Sequence, residues 1–496
     1  MSYVLGLDLG TSSLKGILVS RKGRIVAEAS SEYPVFNPAL GFSEQNPEDW
    51  VKAAKNVIRQ ILIIVPDAKK NIEGISFSGQ MHSLVLLDGR GKPLRKAILW
   101  NDVRTTLQCA KIDKILKSDI FKITGNRALQ GFTLPKILWV MENEPDIWAE
   151  SRVFMLPKDY LGFYFTGNKY MEFSDAAGTL MLDIAKKEWS SAVAKAFNIP
   201  EYIYPKLIDS IAKTGVIRKE VAAELGIEND VSVYAGGADN ACAAAGAGIL
   251  QEKTGMCSIG TSGVFLAYEG KEIKYYKGKL HFFNHIIKDN YYSMGVTLAA
   301  GSSLSWLKNT FAKNADFDGL LEEINKIPPG SEGLLFSPYI TGERTPYADA
   351  EIRGSFIGID IKHTLGHFTR AVMEGIVFSL KDSMGLMNRY ADKKFERVIS
   401  VGGGAKNKDW LQMQADIFNS KITTLRNEQG PSLGAAMIAA VGIGWYKTFE
   451  DCAEDFVSYG KIYEPDIARV KKYEKVYELY DKIYYSTQEI CKNRIL

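Results

Sequence analysis

Two Gly-Thr-Ser triplets, Gly10-Thr11-Ser12 and Gly260-Thr261-Ser262, stand 250 residues apart in this 496-residue chain. Their surroundings, VLGLDLGTSSLKGILVS and MCSIGTSGVFLAYEG, both read as strand, tight glycine turn, strand. A glycine lets the backbone come close to a ligand. The N–H and hydroxyl groups that follow it make an anion-binding concavity. Either turn alone reads equally well as an ordinary hairpin. The pair favours two turns closing on one polyphosphate. Only the first has an acid in the strand before it, Asp8. A carboxylate beside a phosphate cradle repels its ligand unless a divalent cation lies between them. Asp8 therefore points to Mg²⁺, held partly through water.

VYAGGADNACAAAGAG places Asp239 after two glycines, at the head of a small-residue helix. An acid there often does no more than cap the helix. Facing a cleft, it could take a proton from a substrate hydroxyl. Asn240 offers both donor and acceptor, which suits a polyol. Gln80-Met81-His82 follows the strand ISFSG, and Trp100-Asn101-Asp102 follows AILW. Both clusters sit at strand ends, where ligand sites of α/β sheets gather. A lone histidine there is more often structural. Two polar clusters only 20 residues apart, one with an indole, suit a sugar: hydrogen bonds at its edge, apolar contact on its face. Gly402-Gly403-Gly404-Ala405-Lys406-Asn407 is a weak nucleotide signal by itself. It does not fit GxGxxG, and the chain has no GxxxxGK[ST] loop.

Strands and helices must hold these groups. VLGLDLG, LKGILVS and IVAEASSEY read as strands, and Asn46-Pro47-Glu48 opens a helix with an asparagine cap. GISFSG, SLVLLD and AILWND follow as strands. The second half repeats the logic. GMCSIG, VFLAYEG, FNHIIKDN and YYSMGVT read as strands, helices lie between Gly366 and Asn388 and between Asp409 and Asn419, and ERVISVG runs into the glycine turn. Another helix starts near Gly434, after Pro431. The divide is expected at Gly236–Asn240, whose small residues suit a hinge. It gives a first lobe over 1–238 and a second over 239–496. With 46% apolar residues the chain can build full cores; 61 basic against 58 acidic residues give no field that would draw nucleic acid or an anionic membrane. Five scattered cysteines without a CxxC support neither a disulfide framework nor a zinc site. The N-terminus enters a strand without a signal-peptide pattern, and no apolar run reaches the ~18 residues of a membrane span. A cytoplasmic location is expected, and a homodimer is compatible with it.

DLGTSSLKG, GFTLPKILWVMENEP, SIGTSG, GSFIGIDIKHTLGHFTRAVMEG and VGGGAKN together resemble the FGGY carbohydrate kinase family, over nearly the whole length. SGQMHS, LWNDVR and GGADNA resemble its D-xylulose-phosphorylating branch, and LPKDY and SDAAGT also fit. Ala238 departs from the glycine common at that position. The resemblance implies an α/β fold of two actin/hexokinase-like (ribonuclease H-like) lobes, with mixed sheets flanked by helices and the active site in the cleft. It implies ATP and Mg²⁺, and D-xylulose as acceptor. Asp239 would be the general base. Met81, His82, Asp239 and Asn240 would bind the sugar, with Gln80 and Asn101 close by. Gly10, Thr11, Ser12 and Lys15 would face the transferring phosphate, Gly260 and Thr261 the polyphosphate, and Gly403, Gly404 and Asn407 the adenosine. Asp8 would hold the metal through water. Another sugar kinase of the family, such as a gluconokinase or a different ketopentose kinase, is the nearest alternative. An actin-like or chaperone-like ATPase is a remote one, disfavoured by the polar clusters at 80–82 and 100–102.

Overall fold

Leu5, Leu7 and Leu9 point to one face of the Tyr3–Leu9 strand and Val4 and Gly6 to the other, and both faces are buried. A central strand with helices on both sides must be apolar throughout. The computed structural model, which describes residues 1–493, supplies those helices. Pro47–Ile64 covers one face, joining Trp50, Val57 and Ile61 to the leucines in one core. Its start follows the local chemistry: Asn46 accepts a hydrogen bond from the Glu48 N–H, with Pro47 in the first turn. Pro431–Ile443 covers the other face. A Cβ on Gly6 would lie 2.1 Å from the Ser432 carbonyl oxygen, so only glycine lets this helix come so close.

The first sheet runs Lys213–Val216, Ser232–Tyr234, Ile72–Gly79, Tyr3–Leu9, Ser13–Ser20, Ile25–Glu32, and Gly237–Ala238 also pairs with Ile72–Gly79. The second runs His281–Asn284, Tyr291–Thr297, Gly263–Gly270, Thr254–Ile259, Arg397–Gly402, Lys421–Leu425, Tyr459–Tyr463. Each holds an antiparallel hairpin across its glycine turn and a parallel neighbour on the other side of the hairpin's first strand. The two Gly-Thr-Ser turns therefore occupy equivalent places in two equivalent sheets. Leu365–Ala391 and Lys408–Phe418 lie on the second sheet.

Two elements differ from the sequence reading. The strand read in FNHIIKDN starts earlier, at His281, and takes in only Phe283 and Asn284 of that run; the chain then turns through Asp289 at φ +62°. Gly236–Asn240, expected as a free hinge, is buried or half-buried and paired: Gly237 and Ala238 lie beside Ser78 and Gly79, and Asp239 opens the helix Asp239–Gly246. The chain passes between the two sheets at 247–253, at 426–430 and a third time within 444–458, since Pro431–Ile443 packs on the first sheet and Tyr459–Tyr463 pairs in the second.

Candidate functional site

Both glycine turns are anchored by their carbonyls, which leaves their N–H groups outward. At the first, Tyr33 Oη donates to the Gly10 carbonyl (2.5 Å) and Gln45 Nε2 to the Thr11 carbonyl (2.6 Å). Trp100 Nε1 donates to Thr11 Oγ1 (2.9 Å). At the second, the start of the helix Gly301–Phe311 does the same work: Gly301 N donates to the Gly260 carbonyl (2.8 Å), and Ala300 N, Ser302 N and Ser302 Oγ donate to the Thr261 carbonyl. Among the described residues nothing accepts from the N–H groups of Thr11, Ser12, Thr261 or Ser262. Paired outward amides are what an anion needs.

Asp8 and Lys15 face each other across the first hairpin. Burial pushes the Asp8 carboxyl up to about 6, against the opposing pull of the Lys15 ammonium. Its Oδ1 is closed to solvent and has no hydrogen-bond partner. Lys15 is part-exposed, 3.7 Å from Glu28. Asp239 lies near enough to feel Asp8: burial first, then the Asp8 charge, raise it to about 7. Its Oδ1 accepts from its neighbour alone, Asn240 N at 2.6 Å and Asn240 Nδ2 at 2.8 Å. Asp239 and Asn240 line a cavity of about 240 Å³ together with Met256, Ser258, Val401 and Glu428.

Met81 sits against this pair, and His82 follows it in the chain. Asn240 Nδ2 and Tyr292 Oη lie 3.7 and 3.8 Å from Met81 Sδ. His82 has φ +68°. Its carbonyl accepts from Thr133 Oγ1 (2.9 Å) and Lys136 Nζ (3.1 Å), so GFTLPK fixes this strained turn. Its Nδ1 is 2.6 Å from the Gly178 carbonyl, which assigns the proton to Nδ1 and leaves Nε2 as a hydrogen-bond acceptor. Burial drives the ring down to about 3, so it stays neutral at working pH. Gly178 is required because a Cβ there would lie 2.9 Å from His82 Nδ1. The Phe132 ring packs on His82 at 4.6 Å between centroids.

The structure gives other members of the two polar clusters supporting duties. Gln80 is buried and spends its amide on Gln45 Oε1 (3.0 Å) and the Gly10 carbonyl (3.4 Å), so it braces the phosphate turn. Asn101 is exposed and makes no side-chain hydrogen bond among the described residues, while Asp102 is buried with Arg104 and the Ser43 N–H. Cys242 is packed in the core, its thiol raised well above the ordinary range by burial. The Gly434 carbon lies against the Cys242 carbonyl, where a Cβ would come within 2.1 Å.

In the second lobe a cavity of about 600 Å³ brings together Gly260, Thr261, Gly403, Gly404 and Asn407. The reason is strand pairing. Ile259 lies beside Gly402, and Cβ atoms on Gly402 or Gly404 would strike Ile259 at 2.7 Å, so the glycine turn rests on the end of the phosphate-turn strand. Asn407 Oδ1 caps the next helix by accepting from Asp409 N and Trp410 N (both 2.9 Å), which leaves its Nδ2 free for the cavity. Gly301, Phe317, Leu321 and Trp410 complete the walls. Sequence reasoning missed these four, because no local signal marks a wall assembled from distant segments. It also missed Glu428, whose two carboxylate oxygens accept from Gly402 N at 2.9 and 3.0 Å. Among the described residues there is no cluster of three or more metal-ligating side chains, and no helix long and apolar enough to cross a membrane.

Comparison with known proteins agrees with this architecture. Residues 3–246 match the N-terminal domain model of the FGGY family of carbohydrate kinases, and 255–443 its C-terminal domain model. Xylulose kinase of Lactococcus lactis subsp. lactis is 54% identical over 491 residues, 99% of this chain and 98% of that one. A ligand-bound xylulose kinase structure from Lactobacillus acidophilus superposes with a TM-score of 0.93 at 26% identity, covering 98% of this chain and 99% of that one. A gluconate kinase structure from the same organism gives 0.93 at 26% identity, covering 98% of each chain.

Proposed function

This chain belongs to the FGGY family of carbohydrate kinases and is an ATP-dependent sugar kinase, and we propose that it phosphorylates D-xylulose to D-xylulose 5-phosphate. The observation that carries the reading is Asp239 at its helix start, between Asp8 on one side and the Met81–Asn240 contact on the other. Asp239 takes the proton of the terminal sugar hydroxyl, and that oxygen attacks the γ-phosphorus of ATP in line as the bond from the γ-phosphorus to the β,γ-bridging oxygen breaks and ADP leaves. Asn240 and His82 Nε2 orient the sugar. Thr11 and Ser12 of the first turn, with Lys15, receive the transferring phosphoryl group. Gly260 and Thr261 hold the other phosphates, and Gly403, Gly404 and Asn407 face the adenosine. Support for D-xylulose comes from the named relative at 54% identity.

The residues fit Mg²⁺. Asp8 carries a buried carboxylate oxygen without a partner, and among the described residues no cluster of three or more metal-ligating side chains competes with phosphate and water for the other positions. The charge neutralisation that Mg²⁺ supplies at a triphosphate would be anchored by Asp8 through water. Division of labour is placed at Ala238/Asp239, with sugar and first phosphate turn before it and base and nucleotide site after it. Five free cysteines suit a reducing compartment such as the cytoplasm.

A coupled ADP-release assay over D-xylulose, D-ribulose, D-gluconate and no sugar tests the substrate. The highest kcat/KM is expected with D-xylulose; a higher value with gluconate would overturn the choice. His82→Ala is expected to raise KM for D-xylulose about tenfold or more, the loss of one well-placed hydrogen bond to a buried group, with KM for ATP within about twofold. An equal rise in both would make His82 purely structural.

Water must be kept from the γ-phosphate, so the lobes are expected to close when both substrates are bound. With Gly237 and Ala238 paired into the first sheet, movement falls to the connections at 247–253, 426–430 and 444–458. Small-angle scattering should show a smaller radius of gyration with D-xylulose plus a non-hydrolysable ATP analogue. An unchanged value with both ligands bound would mean a preformed site.

A further inference from the structure

LPKDY and SDAAGT fold into one buried polar chain that ends on the residue before Asp239. Lys158, on the helix Pro157–Thr166, lies within 2.6 Å of Asp159, 3.0 Å of Asp175 and 3.2 Å of Glu172, and all four side chains are fully buried. The Glu172 carboxylate accepts from Ser174 N and Asp175 N (both 2.8 Å) at the start of a short helix. Its Oε2 also accepts from Ser174 Oγ (2.7 Å) and Ser210 Oγ (2.9 Å). Ser174 Oγ in turn accepts from Ala238 N at 2.9 Å.

We infer that Ser174, held by Glu172, is a positioning residue for Asp239. The direction of each bond is forced. A carboxylate only accepts, so the single Ser174 hydroxyl proton goes to Glu172, and the lone pair left over faces the Ala238 N–H. Among the described residues no side chain from another element holds the Asp239 carboxylate, which accepts from Asn240. Its aim therefore follows the backbone at 238–239. Two contacts fix that backbone: the pairing of Ala238 with Gly79, and the Ser174 hydroxyl. Lys158 holds Glu172 in place from behind, and its Cβ lies 3.0 Å from where a Cβ on Gly79 would stand. The same buried cluster thus supports both strands on which Asp239 depends.

The inference rests on Asp239 as the base, so the test has arms for each. Ser174→Ala and Ser210→Ala both remove one donor to Glu172, but only Ser174 touches Ala238. Steady-state kinetics and thermal melts are measured for both, with Asp239→Asn alongside. Ser174→Ala is expected to lower kcat by about tenfold or more, since small misplacements of reacting groups are this costly. Its KM for D-xylulose and for ATP should stay within about twofold of wild type. Ser210→Ala is expected to keep kcat within about twofold. Equal losses in the two variants would mean that a weakened Glu172 cluster, and not the aim of the base, limits the rate, and would overturn the inference. So would a Ser174→Ala enzyme with wild-type kcat while Asp239→Asn is inactive. An active Asp239→Asn would instead remove the base assignment itself.

Discussion

Asp239→Ala lowers kcat by ~10²–10⁴, the usual contribution of a general base, while ATP binding is kept. A variant with more than a tenth of wild-type kcat would place the base elsewhere. The same burial that makes Asp239 a competent base near neutral pH destabilises the fold when it ionises. Its pKa in the folded protein, about 7, lies above the 3.8 of an ordinary aspartate, so the folded state holds the proton more tightly. That contribution to stability is complete below about pH 4 and is lost as pH rises through 7. Two results follow. The kcat/KM for D-xylulose falls as pH drops through about 7, because the base becomes protonated. Asp239→Asn, though inactive, melts a few degrees higher than wild type at pH 8, and the difference shrinks toward pH 4. A constant difference across that range would show that the charge is not its source.

Lys158→Met is the second large effect. It leaves Asp159, Glu172 and Asp175 buried around a vacated cation, and breaking a buried ion cluster on one side costs about 3–5 kcal/mol. Burial already raises Asp159 to about 6 and Asp175 well above the carboxylate range, while the three acids together hold the Lys158 ammonium well above its own ordinary value despite its burial. Without the lysine, whose charge pulls both down, the Asp159 and Asp175 carboxyls rise further. Folded-state values above the unfolded ones mean stability present at low pH and lost as pH climbs. The melting gap between the variant and wild type should therefore be small near pH 5 and widen toward pH 8. A gap independent of pH would mean that lost packing around the lysine stem, and not charge, caused the change.

The turns and helix starts were readable from the sequence because their causes are local. A glycine turn and an Asn-Pro cap are set within a few residues, so Gly10, Gly260 and the Pro47 helix stand where expected. Which polar side chains face a ligand is decided by partners far along the chain. Gln80 reads like a sugar ligand until Gln45, 35 residues away, claims its amide. Trp100 reads like a sugar platform, yet its N–H is tied to Thr11, 89 residues away. Gly236–Asn240 reads like a hinge because glycines permit one; pairing with Ser78 and Gly79 makes it a strand. The nucleotide cavity was half legible. Its glycines announce themselves, but Phe317, Leu321 and Trp410 are apolar residues like any others until the second lobe folds.

The Pro431 helix carries a consequence for biosynthesis. It is apolar all round, pressed between the Tyr3–Leu9 and Ile72–Gly79 strands on one side and the Asp239 helix on the other. A ribosome delivers the last strand of the first sheet 193 residues before the helix that covers its second face, counting from Ala238 to Pro431. A nascent first half therefore carries an open apolar sheet face for the time needed to translate that interval. Contacts of such long separation slow folding and prolong exposure to aggregation. A chain truncated after the Asp239 helix is expected to recruit chaperones rather than fold.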